Sequence, residues 1–212
     1  MPDLEEIAER IHASFETRTA ARDQILSQAR TLTRHCANAI RAIHRNENDL
    51  AQDNLVQAEV LVNGFHKAKQ DYPDLYYAGY TQDALKEYAE ASIVCALLMG
   101  LELPSPEDLG VEFATYLQGL AETVGELRRR CLDDLLHEHP EEAVRLLEHM
   151  DDIYAILVSM DYPDAITGGL RRLTDLARSI IERTRGDLTL SLRQEKLEQS
   201  LQRMEQKLGH SG

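Results

Sequence analysis

Tryptophan is absent from this chain of 212 residues, phenylalanine occurs three times, and cysteine occurs three times. Cys36, Cys95 and Cys131 form no CxxC and leave an odd total, which excludes a disulfide framework and a paired-cysteine zinc site. Each falls within helical pattern, so buried free thiols in a reducing compartment are expected. Long apolar runs are also lacking. The longest, Ala91 to Leu101, is interrupted by Ser92 and Gly100 and falls short of the ~20 residues that a membrane span needs. The start, Met-Pro-Asp-Leu-Glu-Glu, has no basic segment leading into an apolar one, so no signal peptide is expected and the chain reads as cytoplasmic. Basic charge is outnumbered, 23 Lys and Arg against 37 Asp and Glu, for a net −14. That excludes a uniformly basic nucleic-acid surface, but not a basic lining confined to a groove.

What is abundant points to helix. Leu, Ala, Glu and Arg dominate, no segment alternates like a strand, and no glycine-rich phosphate loop or internal repeat occurs. The pattern predicts an all-α fold, a single domain over residues 1–212 made of about seven helices. The first runs from 3 to about 46, with Leu4, Ile7, Ile11, Phe15, Ile25, Leu32, Cys36, Ile40 and Ile43 holding a 3.6-residue rhythm. So long a helix implies an extended bundle or an oligomer. Others are predicted at about 49–70, 81–101, 110–137, 140–160 and 164–185. Ser105 before Pro106 has the form of an N-cap with proline at the first helical position. Gly186-Asp187 reads as a stop and a new cap, opening a last amphipathic helix over 187–208 with Leu188, Leu192, Leu197, Leu201, Met204 and Leu208. That stripe is suited to an interface.

Two basic faces stand out. Arg30, Arg34, Arg41 and Arg45, with His44 beside them, share a side of the first helix; Arg171, Arg172, Arg178 and Arg183 mark the sixth. A solvated face and a phosphate-binding stripe are the two readings. Tyr72, Tyr76, Tyr77 and Tyr80 crowd one connection, where packing at a helix junction competes with stacking on bases. His137-Glu138-His139-Pro140 sits at a helix break without metal-ligand spacing and reads as a turn.

The organising feature is acidic. Glu87 and Glu90 lie at i,i+3 on the third helix, and Glu122 and Glu126 at i,i+4 on the fourth. Each pair projects two carboxylates from one helix face, at a repulsive cost of roughly 0.2–0.5 kcal/mol when exposed. A divalent cation would offset it, since carboxylate oxygens suit hard ions such as Mg2+. Glu87 continues an apolar stripe through Ala91, Val94 and Leu98. The face of Glu122 and Glu126 is polar, and on pattern alone it reads as solvated. Gly119 lies one turn before Glu122, where a missing side chain lets another helix or a ligand approach.

These residues carry a resemblance. Arg30 and Ile40 through His44-Arg45, Glu87-Tyr88-x-Glu90-Ala91, Tyr116-Leu117-x-Gly119-x-Ala121-Glu122-x-x-Gly125-Glu126-Leu127, and Glu182 followed by Gly186-Asp187-Leu188 resemble the translin family in order and spacing. The resemblance runs from Arg22 over most of the chain and is nearest to the translin-associated factor X branch, in a prokaryotic or archaeal member. It implies a protomer that assembles into a hollow barrel, typically an octamer, holding single-stranded RNA (or single-stranded DNA) inside. It further implies a metal-dependent endoribonuclease, with Glu87, Glu90, Glu122 and Glu126 as the catalytic acids that bind Mg2+, or Mn2+ in its place. The third acid of that branch is usually Asp, so Glu122 adds a methylene.

Two other readings compete. One is a non-catalytic barrel that binds single-stranded nucleic acid. The other is an all-helical nucleotide pyrophosphohydrolase, for which Glu148-His149-Met150-Asp151 supplies a formal second half, too far along the chain. A dinuclear iron bundle needs two ExxH motifs, and Glu9-Arg10-Ile11-His12 gives one.

Overall fold

A computed structural model describes residues 3–209, with the side chains of 207–209 excepted. Every regular element among them is a helix, as the periodicity predicts. In chain order these are α1 (Leu4–His44), α2 (Asn48–Asp71), α3 (Pro73–Tyr76), α4 (Gly79–Met99), α5 (Pro106–Leu109), α6 (Phe113–Leu136), α7 (Pro140–Ser159), α8 (Asp164–Thr167) and α9 (Leu170–Gly209). Among the described residues no helix is long and apolar enough to cross a membrane.

The chain groups into two units, Met1–Gly119 and Leu120–Gly212. In the first, α1 packs on α2 and α4. Ile25, Leu32 and Cys36 of α1 meet Val62 and Phe65 of α2 and Leu85, Tyr88 and Ala89 of α4 in one apolar cluster. A second cluster joins Ala39 and Ile43 to Ala51, Val94 and Cys95. Burial on α1 begins at Ile25; Leu4, Ile11 and Phe15 are exposed. The central helix α4 is buried almost without a break from Ala84 to Leu97, the mark of a helix covered on all sides. It stops at Gly100, whose φ of 68° is left-handed, with Leu101 N–H closing back to Ala96 O in a Schellman pattern.

Ser105 does cap a helix. Its Oγ accepts from Asp108 N–H at 3.1 Å, and Asp108 accepts from Ser105 N–H at 2.9 Å. That helix is the single turn α5, however. Gly110, at φ 63°, ends it, and α6 starts afresh at Phe113 instead of about 110.

In the second unit α7 and α8 pack on α9. Here the predicted boundaries need correction. The helix expected over 164–185 is broken near its start, where Gly168 and Gly169 take φ of 61° and 86°, leaving Asp164–Thr167 as a separate turn. The stop expected at Gly186-Asp187 does not occur, so the sixth and seventh predicted helices are one. The reason is the buried stripe, Leu170, Leu173, Ala177, Ile181, Thr184 and Leu188, which crosses Gly186 in unbroken register. Asp187 is not a cap either. It accepts from Arg128 Nη2 at 2.9 Å, while Arg128 Nη1 donates to Thr184 Oγ1 at 3.0 Å. Beyond Leu192, itself half-buried, the helix is uncovered: Leu197, Leu201 and Met204 are exposed, as is Leu190 before it. Leu208, also assigned to that stripe, lies outside the described side chains.

Candidate metal centre

The site is built on α4 and α6. Their approach is set at Gly119, where a β-carbon would stand 2.9 Å from Ala89 Cβ, from Glu90 N and from Lys86 O. Two of those three atoms are backbone, so only glycine admits this spacing. The contact fixes the main chain of α4 under Lys86, Ala89 and Glu90. Glu122 follows Gly119 by three residues on the same helix, hence on the same face.

Glu87, Glu90 and Glu122 each offer one carboxylate oxygen, and these oxygens lie within 4.8 Å of one another. Glu90 is only 8% exposed, and the other two are half-buried. Two ligands on one Mg2+ are at most about 4.2 Å apart, twice its 2.1 Å bond; for Ca2+ the limit is about 5 Å. The spacing therefore fits a hard divalent ion after small side-chain rotations, and the all-carboxylate donor set has the matching chemistry. Glu126 is not one of the three. Arg129 Nη1 stands 3.7 Å from its carboxylate.

Two neighbours of the acids escaped the sequence reading. Lys86, whose side chain is 17% exposed, places Nζ 3.6 Å from Glu87 Oε1. Its signal was visible, a lysine abutting an acid, but nothing marked it as covered. The Cys36 thiol is pushed above the ordinary thiol range, first by burial and then by the charges of Glu87 and Glu90. Cys36 thus lies beneath the acids as a packed, unreactive thiol.

The basic residues fall in both units. Arg30, Arg34 and Arg41 are exposed on α1, Arg45 is exposed just past its end, and His44 is half-buried. Arg41 donates to Asn38, and Arg45 to Glu47. Arg171 and Arg172 line an open cavity of about 980 Å³ that also carries Asp161, Asp164 and Asp175. Arg178 is matched by Glu182 at 3.1 Å. The tyrosines divide, with Tyr76 buried against the core and Tyr77 exposed. His137 and His139 sit exposed at the turn after α6, with Glu138 at φ 62°. Asp151, part of the pyrophosphohydrolase reading, is clamped by Arg185 at 2.6 and 2.9 Å.

No family model matches the chain. It is 30% identical over 188 residues to the uncharacterized protein MJ0175 of Methanocaldococcus jannaschii, covering 88% of this chain and 83% of that one. Among solved structures it is similar to an AfC3PO–duplex RNA complex, at 34% identity and TM-score 0.81, covering 87% of this chain and 95% of that one. A second AfC3PO structure gives 33% and 0.80, covering 87% and 96%. These neighbours are translin-fold assemblies. The chain belongs to the translin family. Apo-NeC3PO, at 20% identity and TM-score 0.79, covering 90% and 98%, shares the translin fold.

Proposed function

We propose that this translin-family chain is the catalytic, factor-X-like kind of subunit: a metal-dependent endoribonuclease that cuts RNA within an oligomeric barrel in the cytoplasm. The observation that carries the reading is the convergence of Glu87, Glu90 and Glu122 within 4.8 Å. RNA as the ligand class rests on the neighbour solved with duplex RNA. Single-stranded RNA is the substrate proposed, in an octamer of this chain.

Glu87, Glu90 and Glu122 would hold one divalent ion, Mg2+ or Mn2+, with Glu126 one turn further on. A divalent ion bound there supplies a water of lowered pKa and neutralises phosphate oxygens. The chain's own part is orientation. Glu90 is held by burial, and the Gly119 contact fixes the backbone that carries it. The exposed arginines of α1 would position the RNA backbone without reading sequence.

One observation favours the non-catalytic scaffold. The Lys86 ammonium already gives the acids an internal counter-charge, so they need no metal to coexist. Labelled single-stranded and duplex RNA, incubated with Mg2+, Mn2+ or EDTA, separates the two. The nuclease reading expects cutting that stops in EDTA and falls at least ~10-fold in Glu87→Ala and Glu90→Gln, with single strands preferred. Binding without cutting in every metal condition supports the scaffold and ends the nuclease reading.

A further inference from the structure

Lys86 is a cation that the structure sets against a carboxylate of the cluster. Lys86 and Glu90 are i,i+4 on α4 and share the face that meets Gly119. The carbonyl of Lys86 lies directly under that contact, so the backbone from which its side chain springs is pinned. The stem is mostly covered, yet the ammonium ends at a carboxylate of the cluster. Four other cations of this unit are engaged with acids outside the cluster: Arg18 pairs with Asp74, Arg22 with Asp23, Arg45 with Glu47 and Lys69 with Glu112. Three carboxylates repel an approaching phosphate, and the whole chain is strongly acidic. A metal ion would offset part of that repulsion, and a cation beside it would hold the rest of the phosphate backbone. A primary ammonium suits that task, being a compact point charge on a flexible stem that can leave one anion for another.

We propose that Lys86 is a phosphate-contacting residue of this site, and the proposal rests on the nuclease reading. Its ammonium rests on Glu87 while the acids carry no metal, and passes to a backbone phosphate of the RNA when they do. Lys86 is thus both a brake on metal binding and a hand-hold for substrate.

The test compares wild type with Lys86→Gln and Lys86→Arg. Mn2+ is first titrated without RNA. The ammonium stands 3.6 Å from Glu87 Oε1, so an ion on that carboxylate would lie within about 6–8 Å of it, and removing the charge tightens binding roughly five- to tenfold even at the dielectric of water; Lys86→Gln is expected to bind Mn2+ about fivefold more tightly or better. The salt dependence of kcat/KM on single-stranded RNA is then measured. Loss of one phosphate contact flattens the slope of log(kcat/KM) against log[salt] by about 0.7, through KM more than kcat, and Lys86→Arg restores it. A lysine that only neutralises Glu87 moves the metal midpoint but not the slope, so the slope is the readout that decides phosphate contact. If wild type binds Mn2+ and cuts RNA but either readout stays put in Lys86→Gln, this proposal is overturned while the nuclease reading stands. If wild type neither binds Mn2+ nor cuts, both fall.

Discussion

Gly119→Ala is the sharpest perturbation of the site, because it replaces no acid. The new methyl carbon would sit 2.9 Å from Ala89 Cβ, Glu90 N and Lys86 O. Carbon contacts settle near 3.5–4.0 Å, so the helices must separate locally by roughly 0.6 Å or more. The two backbone atoms cannot turn aside as a side chain could. Overpacking of this kind costs about 1–3 kcal/mol, while replacing glycine in a helix interior returns about 1 kcal/mol, leaving a net loss of about 0–2 kcal/mol. Gly125 is the internal control. It lies on the same helix with nothing within 4 Å of the place a β-carbon would take, so Gly125→Ala is expected to gain about 1 kcal/mol. The two variants should therefore differ by about 1–3 kcal/mol in urea unfolding at a fixed protein concentration, which holds any self-association constant. Mn2+ titration gives the functional half: Gly119→Ala weakens binding at least ~10-fold, because ligands must stay in place to share an ion, and Gly125→Ala leaves it unchanged. Equal stability and equal Mn2+ affinity in the two variants would refute the claim that this close approach builds the site.

The glycines of the second unit give a test of the corrected helix boundaries. Gly168→Ala and Gly169→Ala each force a β-carbon into left-handed backbone and should cost about 1 kcal/mol, whereas Gly186→Ala, inside α9, should gain about 0.5–1 kcal/mol. A denaturant midpoint that falls for Gly186→Ala contradicts a continuous α9. The thiols provide a third check. Burial pushes Cys95 up to about 12 and Cys131 to about 11, so at pH 8 the reactive thiolate is a minor form. A thiol-specific disulfide reagent should label none of the three cysteines in the folded protein and all three in denaturant. Rapid labelling of one under native conditions would contradict the packing around it.

Helix as the sole regular element was legible in the 3.6-residue rhythm, because burial of one face repeats at the helix period whatever the partner. Starts and stops were partly legible. The Ser105-Pro106 cap and the break between the first two helices, expected between about 46 and 49, were read where they occur. Gly186-Asp187 was misread because glycine has no fixed meaning along a chain: at 168 and 169 it takes positive φ and breaks a helix, and at 186 it rides inside one. Asp187 has the look of a cap in sequence, but Arg128, 59 positions earlier, is what holds it.

The site divides in the same way. By itself the sequence determined that Glu87 and Glu90 share a helix face, that Glu122 follows Gly119 by one turn, and that the cysteines are not paired. Glu122 read as solvated on pattern, because the residues around it on its own helix are polar. Only the tertiary structure decided that it joins the other two acids and that Lys86 reaches Glu87. Helical periodicity says which side chains share a face, but which two faces meet is settled by close packing. Here the packing depends on the one position of α6 where a missing β-carbon lets the backbones touch.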